Sequence, residues 1–278
     1  MRTIAFQGEP GAYSHAALHQ LFPSASALPC LSFQEALAAV SQNRADACVL
    51  PIENSVAGRV AELHRLLPDT SLFITGEYFH PIDHMLLALP GTSLPQIQEV
   101  WSHPQALAQC RHALEELGVQ PIAHRDTAGA AKLLKEENLN RVAVLASRKA
   151  AEIYGLDVLA SSLQDRSHNA TRFIVLEREQ PRRDPESAEQ FVTTLLFQLR
   201  SVPAALYKAL GGFATNGVNL TRIESHLHGG SFAAAQFFID AEGHPEEVGM
   251  QRALEELRFF CEEEGVRILG TYPRGKRG

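Results

Sequence analysis

Apolar residues recur along this chain in two rhythms. Over the first two thirds, short apolar runs alternate with segments whose apolar positions fall three and four apart. Thr3–Phe6, Ala47–Ile52, Leu72–Phe79, Met85–Leu89, Val100–Trp101, Ile122–His124, Val142–Leu145 and Phe173–Leu176 read as strands. Helical patterns lie between them. One covers Ser14–Leu21, and a second runs to Val40 from Ser32-Phe-Gln-Glu35, which has the spacing of a capping box. A third covers Pro104–Leu117 with proline in its first turn, Asp126 stands at the N-cap position of a fourth, and a fifth follows Leu145. Strands alternating with helices predict an α/β protein with mostly parallel sheets. Ligands in such folds bind beyond the carboxyl ends of the strands, at helix N-termini.

The rhythm breaks at EREQPRRDPESAEQ, Glu177 to Gln190, which has many charges and no large apolar residue. Such a segment cannot bury enough surface to offset its ordering entropy, so it reads as a linker. Beyond it, Phe191–Leu199 is a strand. Ser201 is expected to cap a helix with Leu206, Leu210, Phe213 and Ala214 on one face, stopped by Gly217 at C′. Val218–Ile223 and Phe232–Ile239 are strands around the turn His228-Gly-Gly-Ser231. A helix from Pro245 to Glu264 and a strand at Arg267–Thr271 complete the order βαββαβ, a ferredoxin-like arrangement.

Composition narrows the classes. The 278 residues are 45% hydrophobic, enough for one large domain or two smaller ones. A net charge of -7 argues against a nucleic-acid partner, and the basic end at Arg274, Lys276 and Arg277 reads as a solvated tail. Cys30, Cys48, Cys110 and Cys261 form no Cys-x-x-Cys pair, so neither a zinc site nor a redox dithiol is expected. The start, MRTIAFQGEPGAY, enters a strand directly without the apolar run of a signal peptide. No segment approaches the roughly 20 apolar residues of a membrane span. A reduced, cytoplasmic protein without a membrane partner is the expectation, in which the sequons Asn169-Ala-Thr171 and Asn219-Leu-Thr221 carry no glycosylation.

Four loops fall where a ligand is expected. Gln7-Gly8-Glu9-Pro10-Gly11-Ala12-Tyr13-Ser14 joins a strand to a helix, and its glycines and N–H groups suit an anion, although a plain βα turn has the same composition. It is neither a P-loop nor a G-x-G-x-x-G fingerprint. Pro51-Ile52-Glu53-Asn54-Ser55 puts polar groups beside a core, where they need partners or a ligand; Glu53 reads equally as a helix-capping carboxylate. In Ser102-His103-Pro104-Gln105, followed by Gln109 and Cys110, the default reading of Ser102 is an N-cap. The last is Ser167-His-Asn-Ala-Thr-Arg-Phe173. Side chains alternate along a strand, so Thr171 and Phe173 share one face and Arg172 points to the other. Thr171 is then either a hydroxyl tying down a strand end or one aimed into a cleft. From the residues alone, the chain is an anion-friendly two-lobed cleft with a small appended module.

Taken together these loops resemble the prephenate dehydratase family of the monofunctional kind. GEPGAYSH, LPIENSVAG, SHPQALAQC and HNATRF match four blocks of that family in order, and NGVNLTRIES, Asn216 to Ser225, is similar to the amino-acid-sensing ACT domain that follows it. The resemblance implies an α/β, two-lobed, periplasmic-binding-protein-like catalytic domain over 1–178, with lobe 1 at about 1–79 and 162–178 and lobe 2 at about 80–161. It implies a linker over 179–190 and a ferredoxin-like ACT domain over 191–278. The implied reaction is decarboxylative dehydration of prephenate to phenylpyruvate. The substrate is a dianion, so the enzyme needs a donor at the leaving hydroxyl and a mould for two carboxylates.

The resemblance assigns the donor role to Thr171 and lines the cleft with Asn54, Ser102 and Gln109 as catalytic positions. Substrate contacts are expected from Gly11 and Ser14 in the first loop, from Glu53, Ser55, Asp126 and Phe173, and, on the family motif although the pleat argues otherwise, from Arg172. His168 is a further wall residue. Phenylalanine is the expected allosteric effector, bound through Ala204, Ala205, Leu206, Asn219, Leu220, Glu224 and Ser225 between paired ACT domains, in a homodimer or homotetramer. The family's Gly-Ala-Leu reads Ala204-Ala205-Leu206 here, and its Glu-Ser-Arg-Pro reads Glu224-Ser225-His226-Leu227. No metal or organic cofactor is implied. An arogenate dehydratase fits the same loops. A solute-binding protein would need an export signal and a transcription regulator a basic helix-turn-helix. A chorismate mutase fusion would need residues ahead of the first strand.

Overall fold

The computed structural model describes residues 1–166, 168–227 and 235–276. The expected turn His228–Ser231, Phe232 and the terminal Arg277 lie outside these residues. In chain order the elements are β1 (Thr3–Gln7), α1 (Tyr13–Leu21), β2 (Ser26–Cys30), α2 (Phe33–Ser41), β3 (Ala47–Asn54), β4 (Gly58–Arg59), α3 (Ala61–Leu66), β5 (Phe73–Pro81) and β6 (Met85–Ala88). They continue with β7 (Glu99–Ser102), α4 (Pro104–Gln109), α5 (Arg111–Leu117), β8 (Gln120–Ala123), α6 (Thr127–Glu137), β9 (Val142–Ala146), α7 (Arg148–Tyr154), β10 (Asp157–Ala160) and β11 (Ala170–Glu177). The last are β12 (Phe191–Leu199), α8 (Ala205–Thr215), β13 (Leu220–Leu227), β14 (Ala235–Glu242), α9 (Val248–Phe260) and β15 (Cys261–Pro273). The chain divides into two compact units. One holds Met1–Thr70 and Tyr78–Ile174, the other Ser71–Glu77 and Val175–Lys276, so β5 and β11 each contribute to both.

The first unit is built on two sheets, giving the expected two-lobed α/β architecture. One has the order β2-β1-β3-β11-β5 with β4 paired to β3, the other β10-β6-β9-β7-β8. β1 lies parallel to β2 and β3, as the alternation of strands and helices predicts. The second sheet is mixed: β7 is parallel to β8 and β9, but β6 is antiparallel to β9 and β10. β2 and β10 went unread in the sequence. Both are short edge strands with more exposed residues, so neither shows a continuous apolar run.

Alternation within β6 and β9 explains the layers. Met85, Leu87, Val142, Val144 and Ala146 pack against α6 and α7, while Leu86, Ala88, Ala143 and Leu145 pack against α4 and α5. A sheet covered on both faces needs apolar residues at every position, which is the sequence of these two strands. The helix expected over Pro104–Leu117 is two helices, broken at Cys110, whose buried thiol faces the core.

The second unit carries the βαββαβ order, with an antiparallel sheet β13-β14-β12-β15. α8 and α9 bury Ala209, Phe213, Met250, Ala253, Leu254 and Leu257 against Leu195, Phe197, Phe237 and Ile239. Ser201 does not cap α8. Ala204, at φ +58°, precedes the first turn without a side-chain cap, and Gly217 at φ +72° follows the helix as expected. α9 stops at Phe260 rather than Glu264, because β15 begins at once and pairs Cys261 with Leu199.

Candidate functional site

A cavity of about 500 Å³ opens in the first unit. Its walls come from the chain beyond β1 (Gly8, Ala12, Tyr13, Ser14), the end of β3 and the hairpin to β4 (Pro51, Asn54, Arg59), and β11 (Thr171, Phe173). The second sheet contributes His103, Gln105 and Gln109 from the start and end of α4, and Asp126 and Thr127 from the start of α6. Ile82 and His84, between β5 and β6, complete it. The site thus sits beyond the carboxyl ends of β1, β3, β7 and β8, as the fold class predicts.

Thr171 is 9% exposed and shares the cavity face with Phe173, while Arg172 points away and lies with its guanidinium 6.0 Å from the Phe79 ring centre. The pleat therefore takes Arg172 out of the cavity, against the motif-based expectation. Asn54 Nδ2 donates to Thr171 Oγ1 at 3.0 Å and to Asn169 Oδ1 at 2.8 Å, while Asn54 Oδ1 accepts from the N–H groups of Val56 and Ala57. The threonine oxygen accepts from Asn54, so its own proton is left to donate elsewhere.

Gln109 closes the far side. Its Oε1 accepts from Asn169 Nδ2 at 2.9 Å and lies 2.9 Å from His84 Nε2. His84 Nδ1 is 2.9 Å from the Tyr13 hydroxyl, which also reaches the Asp83 carbonyl oxygen at 2.9 Å. Burial pushes the His84 pKa down and that of Tyr13 up, so the imidazole is held toward its neutral form and the phenol keeps its proton.

Two features favour an anion. No side chain caps the N-terminus of α1, whose first residues Tyr13 and Ser14 face the cavity with the helix dipole behind them. Arg59 adds a guanidinium from the β4 hairpin. Asp126 lines the cavity as well as accepting from the Gly129 N–H as the N-cap of α6, with Arg125 3.6 Å away.

Several expected residues lie elsewhere. Ser102 is fully buried and donates to the Leu145 carbonyl at 2.7 Å; it neither lines the cavity nor caps α4, whose cap is His103, with Nδ1 accepting from the Gln105 N–H. Gly11 is a structural glycine. Its φ is +94° and a Cβ there would sit 2.8 Å from Ala150 Cα. Ser55 ties β11 to the β3 hairpin through the His168 carbonyl and the Ala170 N–H. Glu53 stands opposite Arg59 in that hairpin, at no helix N-terminus. Neither these residues nor His168 line the cavity.

Tyr13, Arg59, His84 and Asn169 were not singled out in the sequence. Asn169 was read as a sequon and as part of the HNATRF block, and Tyr13 only as part of a loop. Arg59 and His84 sit in stretches without a phosphate-loop or metal-ligand spacing, so no local pattern marks them. In the second unit, Ala204, Ala205 and Leu206 open α8, whereas Asn219 and Leu220 follow its far end, with Glu224 and Ser225 further along β13. α8, eleven residues and roughly 16 Å long, lies between Ala204–Leu206 and Asn219 along the chain. Asn219 Nδ2 donates to Glu242, and Glu224 lies 3.7 Å from Arg222.

Comparison with known proteins agrees with this geometry. Residues 4–181 match the family model described as prephenate dehydratase. The chain is 48% identical over 272 residues to the bifunctional N-acyl-homoserine lactone acylase/prephenate dehydratase of Komagataeibacter europaeus, covering 98% of this chain and 96% of that one. It is 41% identical over 279 residues to the chloroplastic arogenate dehydratase/prephenate dehydratase 2 of Arabidopsis thaliana, covering 97% and 72%. Among solved structures, the prephenate dehydratase of Arthrobacter aurescens in complex with L-Phe superposes with a TM-score of 0.87 at 34% identity, covering 98% of this chain and 90% of that one. On its sequence and on its fold, this chain belongs to the prephenate dehydratase family of lyases.

Proposed function

We propose that the cavity converts prephenate to phenylpyruvate, carbon dioxide and water, with Thr171 as the donor to the leaving hydroxyl. The observation that carries this is the direction of one hydrogen bond. Asn54 donates to Thr171 Oγ1, so the Thr171 proton is directed to another acceptor, and the residue lines the cavity. The bond from the ring carbon to its carboxylate breaks, and its electron pair enters the ring. The carbon–oxygen bond at the opposite ring position breaks with its pair going to oxygen. The departing hydroxide takes the Thr171 proton and leaves as water, and Thr171 regains a proton from solvent, so one proton is consumed per turnover. Asn54 steadies the charge that builds on the threonine oxygen as it gives up its proton. No proton leaves carbon, and the gain of aromaticity drives the step.

The dianion is held by the uncapped end of α1 and by Arg59. Asp126, a carboxylate in the same wall, orders the start of α6. In arogenate an amino group replaces the keto oxygen, and relatives carry both substrate names. The acylase half of one relative's name is not carried over. Among the described residues, the cavity hydroxyls of Ser14, Thr127 and Thr171 have no hydrogen bond to an imidazole that would activate a nucleophile.

The second unit is read as an ACT domain that senses phenylalanine. Its βαββαβ order and the related structure solved with L-Phe support this. Tyr207 of α8 is 81% exposed, which suits a site completed by a second copy. The reading includes a homodimer or homotetramer, a cytoplasmic setting and domain limits of 1–178 and 191–278 on either side of the linker.

The test is product formation from prephenate and arogenate in parallel. Phenylpyruvate from prephenate at the higher kcat/KM supports the reading. Preferred turnover of arogenate moves the enzyme to the other substrate, and turnover of neither refutes it.

A further inference from the structure

The cavity wall contains one unbroken chain of hydrogen-bonding side chains, and its polarity from Asn54 to His84 has a single solution. It starts at the backbone. Asn54 Oδ1 accepts from the N–H groups of Val56 at 3.0 Å and Ala57 at 2.8 Å. A backbone N–H cannot reverse its role, so the oxygen end of the Asn54 amide is fixed and its Nδ2 must donate. That nitrogen lies 2.8 Å from Asn169 Oδ1, which fixes the second amide. Asn169 Nδ2 is then the donor to Gln109 Oε1 at 2.9 Å, which fixes the third. Gln109 Oε1, now an acceptor, faces His84 Nε2 at 2.9 Å, so Nε2 carries the proton. In the neutral ring Nδ1 is then an acceptor; the Tyr13 hydroxyl lies 2.9 Å from it and 2.9 Å from the Asp83 carbonyl oxygen, and these two acceptors share its one proton. Reversing any member from Asn54 to His84 sets two donors or two acceptors face to face. His84 is 3% exposed and Asn169 5%, where a mismatched polar pair has no water to relieve it.

We infer that His84 is a positioning residue: held in its Nε2–H form with Nδ1 as an acceptor beside Tyr13, it donates to Gln109 Oε1 and holds that amide in one orientation in the cavity wall. This rests on the reading of the cavity as the site of the prephenate reaction, with Thr171 as the donor to the leaving group. His84 does not exchange a proton with substrate. Asn54 and Asn169 are set from the backbone end of the chain, so its part is to hold Gln109, which the backbone reaches only through both.

Nitrogen NMR of the full-length protein with labelled histidine tests the geometry without reference to activity. The expected spectrum at neutral pH shows His84 protonated at Nε2 alone; protonation at Nδ1 alone, or at both nitrogens, would overturn the inference. Kinetics test the consequence. His84→Leu removes the donor to Gln109, and His84→Gln restores one near the Nε2 position. The leucine variant is expected to lose about tenfold or more in kcat with KM changed less than about twofold, as small displacements at a reacting centre do. The glutamine variant is expected to recover most of the loss, although both melt at similarly lowered temperatures. A loss that tracks melting temperature, or no recovery in the glutamine variant, assigns His84 a structural role only and contradicts the inference. If Thr171→Val proves fully active while His84 shows the expected protonation, the donor reading of Thr171 fails and the amide chain stands.

Discussion

At the scale of the residue, the site depends on which group donates to which. Thr171 receives a hydrogen bond from Asn54 and is left to donate its own, a distinction that turns on the placement of one amide. Its loss to Thr171→Val should lower kcat by about a hundredfold to a thousandfold, the usual range for removing one donor to developing negative charge. On the proposed function Arg59, which lines the cavity, holds the side-chain carboxylate, which stays charged through the reaction. Arg59→Gln should therefore raise KM, by about tenfold or more, and leave kcat nearly unchanged, measured by steady-state kinetics with prephenate. A fall in kcat at constant KM would place Arg59 at the departing group instead. Histidine 15 gives a prediction in stability. Its Nδ1 accepts from the Gly11 N–H, its ring stacks on Phe6, and burial, His19 and Lys149 push its pKa from 6.5 to about 4. The folded protein binds the proton less readily than the unfolded chain, so the stabilisation is full above pH 6.5 and is lost as pH falls toward 4. Burial lowers the pKa values of His80 and His84 in the same direction. His15→Gln, measured by urea unfolding, should flatten the fall in stability between those two pH values.

At the scale of the element, the sequence was most legible where periodicity and caps agree. Ser32 caps α2 through the Glu35 N–H, Asp126 caps α6, and the buried strands β1, β3 and β9 are continuous apolar runs. It was least legible where tertiary context decides. α4 and α5 share an uninterrupted helical pattern and part at Cys110, which is buried and leaves the helical region at φ -118° and ψ 24°. Ser201 looks like a cap, but the chain enters α8 through a left-handed Ala204. The loop glycines make the same point. Gly11 read as a ligand-binding residue, yet its place is set by α7: Ser147 Oγ donates to the Gly11 carbonyl at 2.6 Å, and Ala150 packs against its Cα. In the second unit, β15 approaches the β5 backbone so closely that a Cβ on Gly270 would overlap the Ile74 carbonyl oxygen. Gly270→Ala should destabilise that unit by about 1–3 kcal/mol or more, read as a lowered melting temperature. A variant as stable as the parent would show that the two strands can separate without loss.

At the scale of the whole molecule, what the sequence revealed was order rather than proximity. The blocks around Gly8–Ser14, Asn54, Gln109 and Thr171 were each weak, and the fold brings one residue or more from each to a single cavity. Tyr13, His84 and Asn169 escaped notice because their chemistry is relational: each matters through the partner it meets across 60 or more positions of chain. The second unit poses the remaining question at this scale. If it senses phenylalanine, adding that amino acid should lower activity with prephenate, and substituting Glu224→Ala should weaken the effect while basal turnover persists. Absence of both binding and inhibition in calorimetry and assay would leave the βαββαβ module with a structural role.

The central claim is that Thr171 acts as a hydrogen-bond donor and not as a spacer of the right size. The most direct measurement is kcat on prephenate for the parent chain, Thr171→Ser and Thr171→Val, with melting temperatures alongside. Serine keeps the hydroxyl and valine keeps the shape. The account predicts most of the activity in Thr171→Ser and a loss of about a hundredfold or more in Thr171→Val at nearly unchanged KM. An active Thr171→Val would contradict it and return the hydroxyl to tying down the start of β11.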